Sequence, residues 1–185
     1  MTEAEAEADA SRRFIALYDA HHAQVYAYAV GRAGRQLADD VVSDTFLVAW
    51  RKLATVPAPP LPWLLGVAGN VLRERYRDEV RQASLVAELR AWADEAAADV
   101  ADEVTERGTV LTALARLSED DRELLTLVAW HGLSAREAAR VVGCSTATYF
   151  VRLHRARKRL QEALAGADQV ARRSPIAFPV EEYSK

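Results

Sequence analysis

The chain has 185 residues, half of them apolar, with a formal charge of −3. That is enough apolar side chain for one large or two small folded domains. A single cysteine, Cys144, excludes an intrachain disulfide framework; the absence of a CxxC pair or a His/Cys cluster argues against zinc, and no apolar run is long enough to span a bilayer.

The small net charge hides a segregated one. Acids collect at Glu3, Glu5, Glu7 and Asp9 and again between Glu88 and Glu106, while bases collect at Arg73–Arg81 and Arg152–Arg159. Local fields of this kind, not the total, decide where phosphates bind.

Residues 1–10 read as a disordered acidic leader. Phe14, Leu17, Tyr18, His21, Val25 and Tyr28 then recur at helical spacing, with Gly31 and Gly34 closing the helix. A second helix is predicted from about Leu37 to Leu53, striped by Val42, Phe46, Ala49 and Leu53. Pro57, Pro59, Pro60 and Pro62 forbid helix across a short connector, and Pro62 suits a first helical turn. The third helix is expected to turn Trp63, Val67 and Val71 inward and Gly66, Asn70, Arg73 and Arg77 outward. These elements make one helical module over 11–81.

Residues 82–103 turn to alanine and acid and read as a mobile linker. A second module spans 104–166, with Val110, Leu111, Leu114 and Leu117 on one helix and Leu124, Leu125 and Val128 on the next, which Ser118 and Asp121 cap. Ser134 and Glu137 make a capping box, Gly143 a tight turn, and Ser145 or Thr146 caps a further helix with Tyr149, Leu153, Ala156 and Leu160 inward. Two helices around a glycine turn, the second polar at its start and basic along its length, form a helix-turn-helix suited to a DNA major groove. The tail, 167–185, shows no periodicity and reads as flexible. The fold class is all-α.

The stretches ADDVVSDTFLVAW (Ala38 to Trp50) and PWLLGVAGNVLRERYR (Pro62 to Arg77) resemble the second conserved region of extracytoplasmic-function sigma factors, small bacterial relatives of sigma-70. The segment from Leu114 to Leu160 resembles their fourth region. The resemblance implies a cytoplasmic transcription initiation subunit, not an enzyme, needing no cofactor. Its implied partners are promoter DNA, the clamp coiled coil of the largest polymerase subunit, the flap of the second largest, and an anti-sigma protein.

By that resemblance Asp39, Asp40, Ser43, Asp44 and Phe46 dock on polymerase, and Leu47 joins the candidates by its place on the helix. Asp40, Ser43, Asp44 and Leu47 also share a helix face suited to a basic partner. Trp63, Asn70, Arg73 and Arg77 match the part engaging the −10 element, where unpaired bases can be stacked on and read; Trp63 is expected to be chiefly core.

Ser145, Thr146, Ala147, Thr148, Phe150, Arg152, His154, Arg155 and Lys158 are the candidates for the −35 element. Arg155, Arg157 and Lys158 are better placed for phosphates than for bases. Gly69 and Phe150 depart from the family pattern: relatives usually carry arginine at the first and often a polar residue at the second. Phe150 is expected either to contact a thymine methyl or to be buried by the tail, the second being favoured. The competing reading is a stand-alone DNA-binding regulator whose N-terminal helices sense a ligand or dimerise. The composition also points to a high-GC bacterial genome.

Overall fold

The computed structural model describes residues 3–75 and 101–173, and among these the chain is helical with no strand. Helix α1 runs Glu3–Ala33, α2 Arg35–Arg51 and α3 Leu61–Arg75; a 3-10 turn at Leu53–Thr55 leads into the proline connector. Helix α4 covers Ala101–Ala115, α5 Glu119–Ala129, α6 Ala135–Val141 and α7 Thr146–Arg173.

Helix α1 starts inside the segment read as a disordered leader, and this corrects that expectation. The acidic stretch is built mostly of alanine and glutamate, among the best intrinsic helix formers, and it extends a helix already anchored at Phe14. Gly31 lies within α1 and does not end it. The break is at Gly34, whose φ of 83° is open to glycine at little steric cost. The linker expected over 82–103 lies mostly outside the described residues, apart from 101–103, which open α4. Helix α7 continues through Arg173, so the first part of the expected tail is helical; the rest lies outside the described residues.

In the first module the C-terminal half of α1 (Val25, Tyr28, Ala29, Ala33) packs on Ala38, Val41, Val42, Phe46 and Ala49 of α2. Helix α3 completes the core with Leu61, Leu64, Leu65, Ala68, Val71 and Leu72, so its buried stripe keeps the predicted Val71 but otherwise lies one residue round from the predicted one. Trp63 and Val67 are half-buried at its edge.

The second module buries Leu114 and Leu117 of α4, Leu124 and Leu127 of α5, Ala138 and Val141 of α6, and Tyr149, Leu153 and Ala156 of α7; Val110 is exposed. The Tyr149 hydroxyl donates to the Leu124 carbonyl at 2.6 Å, tying α7 to α5, and burial raises this phenol to about 12. The caps form as their spacing predicts. Ser118 Oγ accepts from the Asp121 N–H, and Ser134 and Glu137 close a reciprocal box. Gly132 (φ 64°) and Gly143 (φ 69°) supply the two left-handed turns.

The two modules are packed together. Helix α3 lies against α6, and the buried core is continuous from one module to the other. Tyr28 of α1 is 2% exposed, and its hydroxyl donates to Glu123 Oε1 of α5 at 2.5 Å, while Arg32 Nη2 stands 3.6 Å from Glu123 Oε2. Gly69 of α3 backs this contact: a Cβ there would sit 3.0 Å from the Tyr28 hydroxyl oxygen.

Candidate nucleic-acid and polymerase surfaces

On α2, Asp39, Asp40, Ser43 and Leu47 are exposed and Asp44 is half-buried. Phe46 is 3% exposed, which corrects its placement among the contact residues. It packs against Phe14, Tyr18 and His22 of α1 and holds the helix that carries the acidic face. Trp50, 42% exposed, falls on the same face as Asp40, Ser43 and Leu47. Its spacing from these residues was the available signal for it.

On α3, Asn70 and Arg73 are exposed, and Arg73 Nη2 donates to Asn70 Oδ1 at 2.6 Å. They share a cleft of about 360 Å³ with Pro57, Pro62, Trp63 and Val67, whose opposite wall is Arg140, Val141 and Gly143 of the second module. Trp63 therefore edges the core and faces the cleft at once. Arg77 lies outside the described residues.

Helix α7 sorts its side chains by turn. Tyr149, Leu153 and Ala156 face the core, and Ala147, Phe150, Val151, His154 and Lys158 form the exposed face opposite. Phe150 is 57% exposed, not buried, because its position falls on that outward face. Val151, 51% exposed, joins it as an apolar residue that sequence analysis passed over.

Ser145 caps the helix by accepting the Thr148 N–H at 3.1 Å, and its hydroxyl is bonded to that of Thr148 at 2.8 Å. Thr146 is half-buried.

The basic flank of α7 is partly engaged within the protein. Arg152 pairs with Asp120 at 3.3 Å, and Arg159 holds both oxygens of Asp121 at 2.7 and 2.8 Å. Arg155 lies between them in the same cleft, exposed. Thus Arg152, one of the expected DNA contacts, is half-buried and spends its charge on α5. Arg155 and Lys158 remain exposed, Lys158 near Glu162 at 3.9 Å. Among the described residues no group of His, Cys, Asp and Glu could hold a metal ion, and no helix is long and apolar enough to cross a membrane.

Comparison with known proteins places these surfaces in a family. Residues 17–82 match the model of sigma-70 region 2, and residues 107–160 match that of sigma-70, region 4. The chain is 30% identical over 154 residues to the ECF RNA polymerase sigma factor SigL of Mycobacterium tuberculosis, covering 80% of this chain and 87% of SigL. It is 32% identical over 151 residues to the probable RNA polymerase sigma factor RfaY of Xanthomonas campestris; that match takes in 76% of this chain but spans only 38% of the length of RfaY. Among solved structures it resembles CnrH in complex with the cytosolic domain of CnrY, with a TM-score of 0.59, 28% identity, and coverage of 84% of this chain and 90% of that one. With both sigma-70 regions present in order on helices that expose an acidic face and a helix-turn-helix, the chain belongs to the ECF RNA polymerase sigma factors.

Proposed function

We propose that this protein binds core RNA polymerase and directs promoter-specific initiation, with its first module over 11–81 on polymerase and the −10 element and its second over 104–166 on the −35 element. The observation that carries the reading is the pairing, on one chain, of the acidic α2 face with the outward face of a capped recognition helix. It works in the cytoplasm, performs no catalysis of its own and needs no cofactor.

Asp39, Asp40, Ser43 and Leu47, with Trp50 at the rim, form the polymerase-docking face: carboxylates around an apolar centre suit a basic helix. On α7, Ala147, Phe150 and Val151 are placed for thymine methyl groups, Thr148 and His154 for base edges, and Arg155 and Lys158 for phosphates. Asn70 and Arg73 engage the −10 edge. Because they lie in the cleft against Arg140 and Gly143, that engagement requires the modules to part. Docking on polymerase supplies the separation, since each module then binds DNA at the effective concentration set by the other. A protein of the anti-sigma class is the expected antagonist, competing for the same α2 face.

The deciding experiment is run-off transcription from genomic promoter fragments with purified core polymerase, with and without the protein. Transcripts appearing only with the protein, at a fixed distance from a shared pair of upstream elements, support the proposal. No transcript, together with tight binding to duplex DNA without polymerase, overturns it in favour of a stand-alone regulator.

A further inference from the structure

Four arginines line a cleft of about 630 Å³ between α5 and α7: Arg152, Arg155 and Arg159 of α7, and Arg116 from the turn that leads into α5. Arg152, Arg155 and Arg159 stand at i, i+3 and i+7, so they share one flank of the helix, beside the outward face that carries Phe150 and His154. Cations on such a flank attract the phosphates of any duplex, because backbone contacts carry no base information.

Two acids from the first turn of α5 enter the cleft and divide the cluster. Asp121, with its side chain 12% exposed, holds Arg159 through both oxygens at 2.7 and 2.8 Å. That two-pronged, largely buried pair fixes α7 against α5. Asp120 is different. Its side chain is 73% exposed and meets Arg152 Nη2 through one oxygen at 3.3 Å.

An exposed, single-pronged pair adds little to stability. Nor does α5 need Asp120 as its cap, since Ser118 Oγ already accepts the Asp121 N–H. What distinguishes Asp120 is its place beside a cation of the DNA-facing helix. A phosphate that approaches Arg152 approaches the Asp120 carboxylate as well, so the attraction is offset by repulsion between like charges.

We infer, resting on the reading of α7 as the DNA-binding helix, that Asp120 sets the affinity of this helix for duplex DNA by withholding Arg152 from backbone phosphates. Phosphate contact is then left to Arg155 and Lys158. Each added contact of this kind would strengthen binding to every sequence alike and hold the chain on DNA that has no promoter. With Arg152 withheld, the hold on duplex stays weak until polymerase supplies a second attachment.

The test uses the full chain, because the outward face of α7 is exposed while the modules are packed together. Fluorescence anisotropy with a labelled duplex of scrambled sequence should show Asp120→Asn binding about fivefold tighter than wild type at about 50 mM salt. That advantage should shrink about threefold between about 50 and 200 mM, as one added phosphate contact requires. Arg152→Ala should change duplex binding little in the wild type and abolish the gain in the Asp120→Asn background. Glu119→Gln removes the same charge from the same turn but outside the cleft, and should leave the salt slope unchanged. All variants are checked for native helicity by circular dichroism. An unaltered affinity and slope for Asp120→Asn, a gain that survives Arg152→Ala, or an equal gain from Glu119→Gln overturns the inference while leaving the DNA-binding role of α7 intact. No salt-dependent duplex binding by wild type or variant overturns that role, and the inference with it.

Discussion

Tyr28→Phe tests whether the modules are held together by the contact described above. The substitution keeps the ring in the core and deletes the one atom that reaches across to α5, the hydroxyl 2.5 Å from Glu123 Oε1. Glu123 is 7% exposed, so water cannot readily replace the lost donor, and its remaining charged partner, Arg32, is 3.6 Å away. A hydrogen bond to a charged group contributes about 1.5–3 kcal/mol, so removing this one should cost the closed arrangement about 2 kcal/mol. That is roughly a thirtyfold shift in the closed-to-open ratio.

The assay is fluorescence transfer between a donor on the native Cys144 and an acceptor on Asp19→Cys, both placed away from the contact, followed through a urea titration alongside helicity. Tyr28→Phe should bring the loss of transfer to lower urea, ahead of the loss of helix. In a Glu123→Met background the same substitution should cost less than about 0.5 kcal/mol, because the hydroxyl no longer has a carboxylate to serve. An unchanged midpoint for Tyr28→Phe, or an equal cost in both backgrounds, refutes the assignment. Gly69→Ala gives a second route to the same point: its Cβ would press the Tyr28 hydroxyl at 3.0 Å, so parting should become easier although alanine is the better helix former.

The other surfaces yield shorter tests. Asp40→Lys with Leu47→Ser, both exposed, should abolish core-polymerase binding in a pull-down and leave the circular dichroism spectrum intact, whereas Phe46→Ala should cost about 3–5 kcal/mol of stability as a core deletion. Arg155→Ala should weaken promoter binding across sequences and flatten its salt dependence by about one charge, measured by fluorescence anisotropy at several salt concentrations. Phe150→Ala should leave that salt slope unchanged and relax preference at one base pair by about 1–3 kcal/mol, read from a mutated-promoter series.

Ser134→Ala should destabilise the second module by about 1 kcal/mol at neutral pH through loss of the cap. The Ser134 hydrogen bonds, side chain first and then backbone, hold the Glu137 carboxyl below its ordinary 4.5. A depressed carboxyl contributes stability above its unfolded pKa and loses it as pH falls through the folded value. The difference between wild type and Ser134→Ala in thermal melts should therefore shrink as pH falls from 4.5 through the lowered value of the capping carboxyl, and the part due to the carboxylate is gone once that group is protonated in the folded protein.

Several features needed nothing beyond the chain itself. The capping box at Ser134 and Glu137, the turn at Gly143 and the inward stripe of Tyr149, Leu153 and Ala156 are local: each follows from contacts within four residues, and spacing along the sequence reports such contacts directly. Two kinds of feature were illegible locally. Whether α1 would begin at Glu3 turned on the balance between strong helix propensity and the absence of anything to bury, which local pattern leaves undecided. The orientation of Phe150, by contrast, was present in the 3.6-residue period, and the expectation of a covering tail overrode it.

What only the tertiary structure decided is the relation between distant residues. Phe46 sits on the helix that presents the acidic face, but the aromatic cluster of α1 claims its ring, and that depends on how α1 and α2 cross. Arg152 and Arg159 read as part of a DNA-binding basic run until α5 brings Asp120 and Asp121 alongside. Gly69 reads as a missing contact and a weak point in a helix; in the folded protein it leaves room for the Tyr28 hydroxyl that bonds Glu123, 95 residues away from Tyr28 in the chain. Periodicity determines which face of a helix is apolar, because that is set by the geometry of one helix. Which helix covers that face, and which charges are cancelled there, is settled by packing between segments that sequence spacing does not relate.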